Sequence, residues 1–311
     1  MIFMNYRIFG STNVKVSEVG MGCWAIGGNE FGNSYGPTDD AISIQTIKKA
    51  LELGCTFFDT ADVYGQGHSE ELLGLVLPKV REKIFLATKV GGAYMYGDQW
   101  GGGMNFSEEY IRFALEKSLL RLKTSYLDLY QLHNPPLNMI KKGEVFKILR
   151  DLQKEGKIKY VGVSVHTLDE GIAALDHVDS IQCVFNMLDP RNYELIEAAK
   201  VKGVAVIARE PLCNGFLTGK ITPETVFEQG DIRSTMPESY KQNLIDSANQ
   251  LKNIFSHRNE NLSQLALKYV LSSKAVSVVI PGAKTPEQAE QNMQASEIPD
   301  LTEKDLELLG S

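Results

Sequence analysis

Four ionisable side chains sit at or just beyond the ends of consecutive apolar runs. Thr56-Phe57-Phe58 runs into Asp59, and Tyr64 follows in a turn that Gly65 closes. Ile84-Phe85-Leu86-Ala87-Thr88 stops at Lys89, and Leu127-Asp128-Leu129-Tyr130-Gln131-Leu132 stops at His133, ahead of Asn134-Pro135-Pro136. Each run has the composition of a buried strand, so successive strands would deliver Asp59, Tyr64, Lys89 and His133 to one rim. A phenol titrates near ~10 and is too weak a proton donor at neutral pH unless a neighbour stabilises the phenolate. Lowering it by roughly 2 to 3 units takes about 3 to 4 kcal/mol. One ammonium at ~4 Å in an effective dielectric of ~20 supplies that much. Lys89 is the candidate, with Asp59 beside it to keep it charged away from water and His133 to hydrogen-bond the oxygen that takes the proton. Such a set protonates a carbonyl oxygen while another group attacks the carbon. Taken singly, a lysine after a strand is an ordinary loop residue, a tyrosine packs, and a histidine before Asn-Pro-Pro shapes a turn. Their joint occurrence on successive strand ends carries the reading.

The elements that must position them alternate regularly. Tyr6 to Phe9, the turn cluster Gly10 to Asn13, and Val14 to Val16 read as a β-hairpin. Strands follow at Val19 to Gly22, from Thr56, and at Ile84 to Thr88, Leu127 to Leu132, Lys159 to Val163, Ile181 to Phe185, Val204 to Ala208 and Val276 to Ile280. Helical spacing fills the gaps at Asp39 to Leu53, His68 to Leu77, Ser107 to Leu122 and Lys142 to Lys154, and a last short helix covers Leu301 to Leu309. Eight strands alternating with helices imply an α/β chain folded as a (β/α)8 TIM barrel with an N-terminal hairpin, with residues 1–311 as one domain. Two connections are long: Gly91 to Phe106, whose Tyr94, Tyr96 and Trp100 among glycines suggest a mobile pocket wall, and Arg209 to Glu238. Trp24, after the first strand, is expected to line the pocket.

A net charge of -7 and a pI of about 5.4 argue against nucleic acid or an acidic membrane surface as a partner. Cys23, Cys55, Cys183 and Cys213 are scattered, with no metal-ligand spacing, which suggests no zinc site, no disulfide framework and a reducing, cytoplasmic setting. No apolar run is long enough to span a membrane, and the start of the chain lacks a signal-peptide stretch. No feature of the sequence signals a particular oligomeric state.

Asp59-Thr60-Ala61-Asp62-Val63-Tyr64-Gly65, Thr88-Lys89-Val90 and Asp128-Leu129-Tyr130-Gln131-Leu132-His133 resemble the tetrad motifs of the aldo-keto reductase family, and the resemblance runs from about Tyr6 to about Asn292. It implies Tyr64 as general acid and base, Lys89 as the group that depresses its pKa, Asp59 as the partner of Lys89, and His133 as orienter of a small-molecule carbonyl substrate. It also implies a hairpin capping the barrel bottom. A reductant is needed, and the resemblance implies a nicotinamide nucleotide, NADP(H) by preference with NAD(H) as the other option. Gly22, Cys23 and Trp24 would meet it at the rim together with Asp59, and Ser164 and Gln182 would hold its carboxamide. Arg209, Pro211, Leu212, Asn214 and Lys220 would pass beneath it, Arg209 standing where many relatives stack an aromatic ring. Val165 replaces a polar carboxamide-binding residue. Gly282, Lys284, Gln288, Gln291 and Asn292 fall in a segment that resembles the adenine and ribose-phosphate one, with Lys284 and Arg233 placed for a 2′-phosphate, but Gln288 stands where many NADPH-preferring relatives have Arg and Gln291 where they have Glu. Trp24, Tyr64, Trp100 and His133 would line the substrate pocket. The short C-terminal tail suggests an open, permissive pocket. Two other readings use the same barrel: a Schiff-base aldolase with Lys89 as nucleophile, against which the tetrad weighs, and a nucleotide-sensing subunit with little turnover, since the resemblance extends to potassium-channel β subunits.

Overall fold

The computed structural model describes residues 4–30 and 34–309; the first three residues, part of the stretch read as lacking a leader, lie outside the described residues. A two-stranded antiparallel hairpin, β1 (Tyr6–Ile8) and β2 (Lys15–Ser17), precedes eight parallel strands: β3 (Met21–Gly22), β4 (Phe57–Asp59), β5 (Phe85–Val90), β6 (Leu127–His133), β7 (Ile158–Ser164), β8 (Ser180–Val184), β9 (Ala205–Arg209) and β10 (Val276–Val279). They pair in sequence order. The edges meet through parallel bridges from Val19 to Val279 and from Gly22 to Gly282. The Gly20 and Gly22 amides donate to the carbonyls of Val279 and Pro281 at 2.8 and 3.0 Å, closing the barrel.

Helices α1 (Asp40–Glu52), α2 (His68–Val76), α3 (Glu108–Leu122), α4 (Glu144–Lys154), α5 (Leu168–Ala174) and α6 (Tyr193–Val201) connect successive strands. Between β9 and β10 lie α7 (Glu238–Ile254) and α8 (Leu262–Ser272), and α9 (Pro286–Gln294) and α10 (Glu303–Leu308) complete the chain. Local chemistry sets their ends. Asp39 accepts from the Ile42 amide at 2.9 Å, and Ser107 from Tyr110 at 3.3 Å, satisfying donors that a first helical turn leaves unpaired. The helix expected from Lys142 is two pieces, Leu137–Lys142 and α4, because Gly143 takes a left-handed φ of 71° between them.

Alternation along the strands sorts the barrel interior. Phe57, Phe85, Leu129, Ala205, Ile207 and Val278 form the lower core, with Phe9 of the hairpin inserted beneath them and its ring 4.7 Å from that of Phe85. Arg7 pins the hairpin there by donating to the carbonyls of Leu271, Ser273 and Val276 and to Glu18. Two residues further along the same strands the inward positions become polar: Asp59 after Phe57, Lys89 after Ala87, Gln131 after Leu129, Arg209 after Ile207. The helices cover the outer faces, where Phe58, Leu86, Tyr130, Val161, Val163 and Ile181 join the main core.

Candidate active site

The register places the polar layer at one level: Gly22 opposite Asp59, Lys89 opposite Gln131, His133 opposite Ser164, and Ser164 opposite Gln182. Lys89 is wholly buried. Its ammonium donates to Asp59 Oδ1, to the Thr60 carbonyl at 2.9 Å and to the Tyr64 hydroxyl at 3.2 Å. The other oxygen of Asp59 accepts from the Gln131 and Gln182 side-chain amides, both at 2.9 Å. Gln131 is a functional residue that the sequence reading misses. The signal was present, since it is a polar residue inside an apolar run, two places before His133 and therefore on its face. Gln182, assigned to the nicotinamide from the sequence, also buttresses Asp59 through its amide nitrogen.

Tyr64 opens a helical turn in which Gly65 and Gln66 take left-handed φ of 59° and 52°. A Cβ at Gly65 would lie 2.1 Å from the Gly27 carbonyl oxygen, so the turn that aims the phenol requires glycine there. The Tyr64 ring stands edge-on to His133, centroids 5.9 Å apart, and its centroid is 6.1 Å from that of Trp24.

The electrostatics correct one expectation. Burial raises the Tyr64 phenol above its usual value, and Lys89, acting downward, offsets only part of that. The net direction is therefore upward rather than down, and the phenol is a proton holder at neutral pH. Burial pulls Lys89 down, but Asp59 and Tyr64 outweigh it and the ammonium titrates above its ordinary value. Burial, followed by the charges of Lys89 and Arg209, holds His133 well below its usual value, which leaves a neutral ring able to donate one N–H.

These groups face a cleft of about 580 Å³. Every residue assigned to a cofactor from the sequence lines it: Gly22, Cys23, Trp24, Asp59, Ser164, Gln182, Arg209, Pro211, Leu212, Asn214, Lys220, Arg233, Gly282, Lys284, Gln288, Gln291 and Asn292. Arg209 is held by Glu210, by the Val165 carbonyl at 3.2 Å and by His166 Nδ1 at 3.2 Å, while its Nε has no hydrogen-bond partner among the described residues. Arg233 forks onto Asp231 at 2.9 and 2.6 Å. Lys284 donates to the Tyr35 carbonyl at 3.0 Å, and burial, then Arg233, lowers its pKa. Tyr35, Asn134 and His166 also line the cleft, and sequence reasoning missed all three. Tyr35 lies in a Gly, Asn and Ser-rich stretch with no periodicity to place it.

Trp100 is a correction. It packs edge-on against Tyr110 and at a tilt against Phe113 of α3, ring centroids 5.4 Å away in both cases, and is absent from the cleft lining. The connection from Gly91 to Phe106 folds back on itself, with Ala93 N to Gly103 O at 2.7 Å and Asn105 N to Gly91 O at 2.7 Å. It is tied to α3 by Arg121, which donates to the Tyr96 hydroxyl at 2.9 Å, so Tyr96 and Trp100 serve the helix layer and not the pocket, while Tyr94 is exposed.

A buried lysine held between a carboxylate and a phenol, at the C-terminal rim of a parallel barrel, meets a match to the aldo/keto reductase family model over residues 18–311. The chain belongs to the aldo/keto reductase family. Among its relatives are an uncharacterised oxidoreductase, YqkF, of Bacillus subtilis, 32% identical over 99% of this chain and 96% of its own length. Another is the NADH-specific methylglyoxal reductase of Escherichia coli, 31% identical over 96% and 95%. The solved holo form of aldo-keto reductase AKR11C1 from Bacillus halodurans superposes with a TM-score of 0.83 at 30% identity, covering 99% of this chain and 96% of that one. Aldo/keto reductases use nicotinamide nucleotides. The donor set here fits one: neutral amides and a hydroxyl (Gln182, Asn134, Ser164) at the tetrad end, cations (Lys220, Arg233, Lys284) at the other, and the buried Nε of Arg209 lacking an acceptor between them. No group of three or more His, Cys, Asp or Glu side chains among the described residues is arranged to hold a metal, and no described helix is long and apolar enough to cross a membrane.

Proposed function

We propose that this chain, as one barrel unit, reduces small aldehydes or ketones to alcohols with NADPH in a reducing, cytoplasmic setting, and runs the same chemistry in reverse on alcohols. The observation that carries the reading is the Lys89 ammonium 3.2 Å from the Tyr64 hydroxyl, with Asp59 locked behind it and a neutral His133 in front. A reduced nicotinamide, when bound along the cleft, supplies the hydride. Tyr64 holds the proton at its hydroxyl and passes it to the carbonyl oxygen as negative charge develops there; Lys89 stabilises the phenolate left behind. His133 donates an N–H to the same oxygen and fixes which way the carbonyl points. Asp59, braced by Gln131 and Gln182, keeps the ammonium charged and aimed. Ser164 and Gln182 suit the carboxamide edge of the ring, and the guanidinium of Arg209 offers a planar surface beneath it. Lys284 and Arg233 support the choice of NADPH, because two neighbouring cations suit a 2′-phosphate dianion. NADH is the competing donor, in line with the name of the Escherichia coli relative.

Stopped-flow absorbance of bound NADPH, then NADH, with a panel of small aldehydes tests this against Tyr64→Phe. Aldehyde-dependent oxidation that the substitution abolishes while nucleotide binding persists is the expected result. Tight binding by both proteins with turnover by neither would point instead to a nucleotide sensor.

A further inference from the structure

Tyr64 does not stand on a strand. The three residues after it, Gly65, Gln66 and Gly67, take left-handed φ of 59°, 52° and 96°. Such a run continues neither a helix nor a strand, so the place of the phenol depends on what the turn is fastened to. Helix α2 starts directly after it, and its first turn carries two wholly buried polar side chains, Ser69 and Glu70. Glu70 accepts from the Thr88 hydroxyl at 2.6 Å. Thr88 precedes Lys89 on β5, so by alternation its side chain leaves the barrel on the helix side while that of Lys89 points inward. Ser69 donates to the Cys23 carbonyl at 2.8 Å and its hydroxyl lies 2.9 Å from that of Thr60. The Thr60 carbonyl in turn accepts from the Lys89 ammonium at 2.9 Å. Adjacent residues of α2 thus fasten the Tyr64 turn to both chain segments that hold Lys89.

Arg121 completes the fastening from α3. Its Nε donates to the other oxygen of Glu70 at 2.7 Å, and a Cβ on Gly67 would lie 2.7 Å from the same nitrogen, so the guanidinium packs directly against the turn. Stability alone does not call for this cluster. Thr60, Ser69, Glu70 and Thr88 are all wholly buried, and apolar residues of similar volume would fill the helix layer without desolvating a charge. Buried ion pairs replaced in that way often lose no stability. What apolar packing supplies less strictly is a single arrangement, which a satisfied network of buried hydrogen bonds does impose. The arrangement imposed here sets Tyr64 against Lys89.

We propose that Ser69, Glu70 and Thr88 are positioning residues for the acid: they touch no reacting atom, but they fix the separation of the Tyr64 hydroxyl from the Lys89 ammonium on which proton delivery depends. The inference rests on the carbonyl-reduction reading. Misplacing a reacting group by about 1 Å can cost about 100-fold in rate, and loss of one tie that lets the turn shift by part of that is expected to cost about tenfold. Thr88→Val tests it, because valine keeps the branched shape of threonine and removes only the hydroxyl. Thr88→Ser keeps the hydroxyl and is the control. Single-turnover oxidation of bound NADPH by propanal should reach a limiting rate about tenfold lower in Thr88→Val, with the half-saturating propanal concentration and the NADPH affinity in a fluorescence titration unchanged. Thr88→Ser should stay within about threefold of native. A role in the fold alone would lower the melting temperature of Thr88→Val and leave its limiting rate within about twofold of native, and that result overturns the inference. So does a Thr88→Ser protein as slow as Thr88→Val, since the hydroxyl would then not be what matters. Should Thr88→Val fail to fold, Ser69→Ala cuts the tie to Thr60 and is read by the same measurements against the same limits. If native protein oxidises NADPH with no aldehyde, the carbonyl-reduction reading fails by itself. Crystal structures of native and Thr88→Val protein then still decide the positioning: a separation of Lys89 Nζ from Tyr64 Oη lengthened by about 0.5 Å or more supports it, and an unchanged separation overturns it.

Discussion

Replacing Lys89 by methionine keeps the length of the side chain and deletes its charge. At 3.2 Å from the Tyr64 hydroxyl, the ammonium would stabilise a phenolate by about 5 kcal/mol in an effective dielectric of ~20. Tyr64 is only half-buried, so water at the cleft screens part of this, leaving about 2 to 3 kcal/mol, or roughly two pKa units. Single-turnover oxidation of bound nucleotide by a small aldehyde at pH 7 should therefore slow about 100-fold in Lys89→Met, with nucleotide affinity retained. The substitution also leaves the buried Asp59 carboxylate with two amide donors and no counter-charge, a loss of about 3 to 5 kcal/mol of stability for a broken buried pair. The double variant Asp59→Asn with Lys89→Met removes both charges. Its melting temperature should recover towards native while its rate stays low, which separates damage to the fold from damage to the acid. A rate in Lys89→Met within about threefold of native would refute the assignment, because the charge 3.2 Å from the phenol would then contribute almost nothing to proton delivery.

Two further outcomes follow from the geometry at either end of the site. Lys284→Ala should weaken NADPH about tenfold more than NADH in parallel fluorescence titrations, since the substitution removes the half-buried cation proposed to meet the 2′-phosphate; equal weakening would place the 2′ position elsewhere. Asp62, next to the tetrad segment, is fully buried, and neither carboxylate oxygen has a hydrogen-bond partner among the described residues. Burial, then Glu70, pushes its pKa well above the ordinary carboxylate value, opposed by Arg121 and Lys89. A raised carboxyl favours the folded state fully below its unfolded value and loses that contribution as pH rises through its folded value. The melting temperature of Asp62→Asn minus that of the native protein should accordingly grow between pH 5 and pH 8. A difference that stays flat with pH would show that Asp62 is not the group that titrates.

What was legible in the sequence, and what was not, divides along physical lines. Asp59, Lys89 and His133 are placed together by sequence alone because a parallel barrel leaves little choice: the residue that ends an apolar strand emerges at the C-terminal rim, and neighbouring strands emerge side by side. The inward-facing period of two carried equal information about Gln131, which the run of apolar neighbours obscured. Trp100 had no such constraint. Its direction is set by Arg121 reaching the Tyr96 hydroxyl and by the rings of Tyr110 and Phe113, tertiary contacts that glycine-rich spacing does not encode. The sign of the Tyr64 shift failed for a related reason. A pairwise estimate with Lys89 alone points down, but the phenol also loses water on burial, and that loss depends on how Trp24, His133 and the strand ends pack around it. The two effects act at different stages of the chemistry. In the proposed reaction, burial would keep the proton on Tyr64 until a carbonyl arrives, and the ammonium would lower the cost only once the proton has begun to leave. A lysine that simply made Tyr64 acidic in the resting protein would spend the proton into solvent; in the proposed reaction the raised resting pKa holds the proton and the adjacent ammonium eases its transfer.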